Sequence, residues 1–431
     1  MSKKEILLII IVVAIVGGIL LFIGFIRPPK CKPVSLEVWG VYDEPDVFNE
    51  FISEYKKFNN CVISINYQKK PFEDYEKELI NAFAVDKGPD IWMMHNTWLP
   101  KHKDKIAELA EEVFPFSQYR QTFVDVAAED LTENNKIYAI PLYVDTLALF
   151  YNLNFFNTSG ISSPPETWED LINDLGKLTK KNQFGGIEKA GAAIGTAENI
   201  NRASDILALL MLQNGTKMVS DEKKSATFEE SIILNGETYY PGRDALRFYT
   251  EFSGPNKITY TWNRQMPYSV DAFADNKAAM VFGYSHLINT LTEKNPYLAY
   301  RIASMPQIKG REFDINYASY WAMTVSKKSK AKDEAWKFII YLTQKENSKN
   351  YLQKADRPAA RRDLIDWQKS NDLNLAIFAE QSLTARNWYQ ADSSAIEKIF
   401  NNAIESIVLG SATYDQAIEN MANQTTLLMS K

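Results

Sequence analysis

Cysteine and histidine are scarce in this chain, with two and three copies in 431 residues. A small disulfide-stapled scaffold needs far denser cysteine, and a zinc site needs clustered cysteine and histidine, so both are excluded. His95, His102 and His286 form no metalloprotease or other metal-ligand spacing, and no metal or other cofactor is expected. The 18 glycines make neither a phosphate loop nor a dinucleotide fingerprint. Gly283-Tyr-Ser-His-Leu287 superficially resembles a nucleophile elbow but has no second glycine for the sharp turn. Positive charge is in deficit. Lys and Arg number 48 against 54 Asp and Glu, a net charge of −6 that offers no basic face to nucleic acid. Internal repeats and low-complexity stretches are also missing.

The chain is rich in packing material and rings. Apolar residues make up 45%, and 9 Trp, 22 Tyr and 23 Phe are a generous supply of flat surfaces. A chain this long exceeds what a single core usually organises, so two domains or two lobes are expected. Lys3 and Lys4 precede an uncharged run from Ile6 to Ile26, closed by Arg27 and two prolines. As a helix that run measures roughly 32 Å, about one hydrocarbon core. Residues 1–5 then form a short tail, 6–26 an uncleaved membrane anchor, and 27–33 a linker. Arg-Pro-Pro-Lys before Cys31 is not a lipid-attachment box. Cys31 and Cys61 lie before and at the start of successive strands, where a disulfide suits an oxidising exterior; two unrelated thiols are the bland alternative.

From residue 34 the pattern alternates strand and helix. Val34–Trp39, 61–67 and 91–94 read as strands. Between them, Pro45–Phe58 turns Val47, Phe48, Phe51, Ile52, Tyr55 and Phe58 to one side. The next helix, 71–85, turns Phe72, Tyr75, Leu79, Ile80 and Phe83 inward. This βαβαβ order predicts an α/β fold on a parallel sheet. Residues 136–140 and 147–151 read as extended, with 141–145 crossing between lobes. A capping box at Thr167–Asp170 opens a helix, and a second is expected at Thr343–Glu346. Strands are also expected at 191–195, 278–282, 300–305 and 318–326. Helices are expected at 201–213, 243–252, 334–342 and from 396 onward.

In open α/β sheets a ligand binds beyond the carboxyl ends of the strands. Those positions combine a ring with hydrogen-bonding groups: Tyr42, Asp43 and Glu44 after the first strand, His95, Asn96 and Trp98 after the third, Tyr143 and Asp145 in the crossing. Rings for stacking and polar groups for hydroxyls are the chemistry of small polar solute capture. Each has a bland alternative: Asp43 favouring a helix start, Trp98 packing, Asp145 pinning a turn.

The motifs Leu36-Glu-Val-Trp39, Gly88-Pro-Asp-Ile-Trp92, Tyr138-Ala-Ile-Pro-Leu142, Leu149-Phe-Tyr-Asn152, Pro164-Pro-Glu-Thr-Trp168, Ala272–Met280 and Ala331–Thr343 stand in one order across residues 34–410. In that order the chain resembles the extracellular solute-binding proteins of carbohydrate ABC importers, the maltodextrin and multiple-sugar type. The resemblance implies a periplasmic-binding-protein-like type II fold with two lobes and interlobe crossings: 34–142 with 311–355, and 143–310 with 356–431. It implies no catalysis, a monomer outside the cell membrane, and delivery of ligand to permease subunits. By position it adds Asn199, Asn201, Tyr284, Tyr320, Trp321 and Trp388 to the ligand contacts, Trp388 having helix packing as its alternative. Rival readings are a polyol, glycerophosphodiester, polyamine or peptide ligand, with Arg202 and Arg264 available to a phosphate. An anchored glycoside hydrolase and a sensory surface module are rivals of another class.

Overall fold

The computed structural model describes residues 32–430. The expected anchor at 6–26, the tail before it, most of the linker and Cys31 lie outside the described residues. Cys61 is disulfide-bonded. Among the described residues no helix is long and apolar enough to cross a membrane.

The first strands and helices follow the βαβαβ reading. Val34–Gly40 pairs in parallel with Val62–Lys69 on one side and Ile91–His95 on the other. Trp321–Val325 returns antiparallel to Ile91–His95, and Ile140–Pro141 closes the five-stranded sheet. Helix Pro45–Phe58 starts on Pro45, whose fixed φ suits a first turn, and buries Phe48, Phe51 and Tyr55. Helix Phe72–Ala84 buries Tyr75, Leu79 and Phe83. With helices on the sheet, Ile91–Met94 and Trp321–Val325 are buried throughout, which is why they read as unbroken apolar runs. A second, three-stranded antiparallel sheet sets Ala148–Asn152 between Met280–Gly283 and Tyr300–Ala303.

Two clusters of buried apolar side chains follow from these sheets. The first runs from Leu36 to Val144 and again from Ala318 to Ile365, with Ala379 and Ala385 added, while the second runs from Leu147 to Tyr317 and takes up most of the buried apolar residues from Leu375 to Ala422. The first two crossings lie side by side. The Leu147 amide donates to the Tyr317 carbonyl at 2.9 Å, the Ser319 amide to the Asp145 carbonyl at 3.0 Å, and Thr146 bridges Ala318.

Several sequence expectations need correction. Phe72 and Ile80, expected inward, are exposed, and so is Phe58 on the apolar face of its helix. Phe58 ends its helix against the Tyr55 and Tyr341 rings, and Phe72, in a first helical turn, stacks on Tyr42. Residues 191–195 form no strand. They run beside Met280, with Ala193 N–H donating to its carbonyl at 2.9 Å, but Gly195 turns away at φ +117°. The Thr343–Glu346 capping box does not form. The Thr343 hydroxyl instead donates back to the Ile339 and Ile340 carbonyls at 3.1 Å each, finishing the helix Lys332–Leu342. Helices Arg362–Asn371 and Leu373–Gln381 were not anticipated. The Thr167–Asp170 box does form, with both reciprocal bonds at 3.1 Å.

Candidate ligand-binding site

A cleft opens between the two cores at the carboxyl ends of the first sheet's parallel strands. The chain leaves Val34–Gly40 through Gly40, where an added Cβ would come within 2.1 Å of the Tyr67 hydroxyl, and presents Tyr42. The Tyr42 ring stacks on Phe72 at 5.7 Å and meets the edge of Trp321 at 5.8 Å. Trp321 also makes edge contacts with His95 at 5.5 Å and Trp98 at 5.0 Å. These offset and edge geometries are the favoured ones for aromatic quadrupoles, so the wall is rigid as well as apolar. His95 bonds Thr97 Oγ1 at 2.8 Å and Ser319 Oγ at 3.0 Å. Burial, with the Arg202 charge adding to it, pushes its pKa down to about 3, so it faces the cleft neutral.

The opposite wall is built on helix Ala203–Gln213 and the turn after strand Met280–Gly283. Arg202 precedes the helix in the left-handed region, φ +59°, an uncommon conformation for a long side chain. Its guanidinium lies 5.4 Å from the Tyr284 ring centre. The Tyr284 hydroxyl donates to Asp205 Oδ2 at 2.8 Å, and His286 stacks on Tyr284 at 6.2 Å. Protein crowding, then the Arg202 and Arg357 charges, push His286 down to about 4. Trp388 stacks on Phe400 at 5.7 Å. Arg357 enters from the first core, 5.0 Å from the Tyr143 ring centre and 5.8 Å from that of Tyr42.

Of the residues expected from sequence, Tyr42, His95, Trp98, Tyr143, Asp145, Tyr284, Trp321 and Trp388 come together on this cleft. The others lie off its lining. Asp43 is buried behind it, accepting from the Tyr351 hydroxyl at 2.7 Å and from Arg357 at 3.4 Å. Glu44 pairs with Lys69 at the surface. Asn96 and the Tyr320 hydroxyl both donate to Asp130 Oδ2, at 2.8 and 3.0 Å. Asn199 holds the loop carbonyls of Asn263 and Met266, and Asn201 holds that of Phe282. Asp145 does line the cleft, but its carboxylate accepts from the Ser285 amide and hydroxyl and the Thr146 amide. Burial nonetheless pushes its pKa up to about 6.

The cleft also gathers residues that the strand-end rule misses: Phe72, Arg202, Asp205, His286, Arg357 and Glu397. Arg202 was visible only as a cation available to a phosphate. Arg264, named with it, instead pairs with Glu198 and Glu405 outside the cleft. Among the described residues no His, Cys, Asp and Glu cluster is placed to hold a metal ion. The arrangement offers flat faces on both sides and polar groups between them, a chemistry suited to a polar ring compound.

Residues 42–349 match the family described as bacterial extracellular solute-binding proteins. A binding protein of Brucella abortus is 21% identical over 383 residues, 86% of this chain and 87% of the relative. The galactooligosaccharide-binding protein of Bacillus subtilis is 19% identical over 399 residues, 91% and 88% of the two chains. The solved cyclic alpha-maltosyl-1,6-maltose binding protein of Arthrobacter globiformis shares the fold, with a TM-score of 0.76 at 17% identity over 92% of this chain and 99% of that one. The Bacillus and Arthrobacter proteins are named for the oligosaccharides that they bind, and the matched family is one of solute-binding proteins rather than enzymes. With more than half of its length matched, it belongs to the bacterial extracellular solute-binding protein family.

Proposed function

We propose that this protein captures a mono- or oligosaccharide in the cleft between two lobes and delivers it to the permease subunits of an ABC importer. One observation carries the reading. Rings from both cores face a single cleft, Tyr42, Phe72 and Trp321 on one side and Tyr284 and Trp388 on the other. Stacking gives area and orientation, while the polar groups between the rings discriminate hydroxyl positions. The ligand touches both lobes only when they close, so it binds the closed form better and shifts the population toward it. The sugars named for similar proteins support this ligand class. An anchor at residues 6–26 would keep the monomer at the outer membrane face, beside its importer, with Cys31 as the disulfide partner of Cys61.

The test is a thermal-shift and calorimetry screen of the full chain in detergent against mono-, di- and trisaccharides, polyols and polyamines. A sugar at 100 times its dissociation constant should stabilise by about 2.7 kcal/mol and be recovered chemically unchanged. Stabilisation by polyamines or polyols alone, or hydrolysis of the sugar, would sink the proposal.

A further inference from the structure

We infer that the captured solute is an acidic saccharide, whose carboxylate, phosphate or sulfate group lies between Arg202 and Arg357. The inference rests on the sugar-binding reading and narrows it. The two guanidiniums come from different cores, line the same cleft and flank the ring wall of Tyr42, Tyr143 and Tyr284. A guanidinium carries five N–H donors in a planar fork. Among the described residues the Arg202 fork makes no hydrogen bond and no ion pair. Arg357 makes only its 3.4 Å contact to Asp43, and its Nε is buried with no acceptor.

The nearby acids act on these cations by charge, but apart from the long Asp43 contact their oxygens are bonded elsewhere. Asp43 is held by Tyr351, Asp145 by Ser285 and Thr146, and Asp205 by Tyr284. Glu397 acts on Arg202 through charge alone and forms no ion pair with either arginine. Charge at a distance keeps both guanidiniums protonated, but it does not fill their N–H donors, and a buried donor left without an acceptor costs free energy. A neutral hydroxyl can accept one N–H but leaves the charge in place. A carboxylate, phosphate or sulfate accepts two forked N–H groups and neutralises the charge as well. The surrounding rings then hold the sugar that carries the anion.

Calorimetry on the full chain in detergent tests this with digalacturonate, glucose 6-phosphate and N-acetylglucosamine 6-sulfate beside galactobiose, glucose and N-acetylglucosamine. At least one acidic probe should bind at least about tenfold more tightly than its neutral partner, a gap of about 1.4 kcal/mol. The probe that responds names the acidic group. Arg202→Gln should weaken that probe about tenfold or more, and the neutral partner less than about threefold. Raising salt from about 50 to about 500 mM should weaken only acidic binding, a readout in the unaltered protein that does not depend on how the variant folds. Neutral probes binding as tightly as every acidic one, or Arg202→Gln weakening both equally, would overturn the inference and leave the sugar-binding reading intact. Binding of no saccharide of either kind would overturn both.

Discussion

Tyr42 and Asp43 are adjacent in the chain, yet the ring of one faces the cleft while the carboxylate of the other is enclosed beneath Tyr351 and Arg357. Their substitutions should therefore separate. Tyr42→Ala removes a half-open ring and should weaken ligand binding about tenfold or more, with a melting temperature close to that of the parent; equal loss of both would place Tyr42 in the core instead. Asp130 gives a pH prediction. Burial pushes this partly enclosed carboxyl up to about 7, against the hydrogen bonds from Asn96 and Tyr320. Its folded pKa lies above its ordinary 3.8, so the native state binds the proton more tightly than the unfolded chain. The stability it contributes is complete at pH values below 3.8 and is lost as pH rises through about 7. Asp145, pushed up to about 6, acts with the same sign in the lower part of that window. Asp130→Asn keeps one acceptor oxygen for Asn96 and Tyr320 and has nothing to ionise. Between about pH 5 and about pH 8 its melting temperature should fall less than that of the parent protein, and parallel curves would exclude Asp130 as the titrating group.

Helix Ala203–Gln213 shows how one element is tied to several others. It is apolar on nearly every side, and Gln213 at its end is buried. That amide accepts from Trp168 Nε1 at 2.7 Å and donates to the Pro306 and Ile315 carbonyls at 3.0 and 3.1 Å. The side chain thus joins the helix to Trp168–Leu178 and to the connector behind Tyr300–Ala303. Gln213→Leu fills the space but leaves buried donors and acceptors unmet, and should cost about 2–3 kcal/mol in denaturant titration. A loss under about 0.5 kcal/mol would mean that the freed groups find other partners. The other end of the same helix carries Arg202 into the cleft, so anchoring at residue 213 also fixes the position of that wall.

Across the whole molecule, the two cores are joined by crossings whose backbones bond to each other at Leu147–Tyr317 and Asp145–Ser319. The Asp145 carboxylate adds a tie to the Ser285 turn, linking the crossing to the second wall of the cleft. Under the proposed closure, crossings tied together in this way would act as a hinge for rigid rotation of one core against the other. Small-angle X-ray scattering should therefore show a smaller radius of gyration at saturating sugar than without it. An unchanged radius with confirmed binding would mean that the solute enters an already closed cleft.

Periodicity and turn chemistry alone located most strands and helices, because alternating burial and local capping act over only a few residues, as at Thr167–Asp170 and Ile91–Met94. The rings and histidine at the strand ends were legible for the same reason: chain direction decides which end of a parallel sheet opens. Helix 362–371 was not, since its apolar face is short and its neighbours are distant in sequence. The cleft's cations were equally hidden. Arg202 and Arg357 are separated by 155 positions, and no local pattern sets an arginine apart from its surface counterparts such as Arg264. Asp43, Asn96, Asn199 and Asn201 carried the right chemistry in the right segments, but their hydrogen bonds were drawn inward by partners such as Tyr351, Asp130, Asn263 and Phe282. Sequence determined the elements and the edge at which a ligand would sit. Tertiary structure decided which polar groups remain available to it, because a buried donor or acceptor is claimed by whichever partner the fold brings within reach.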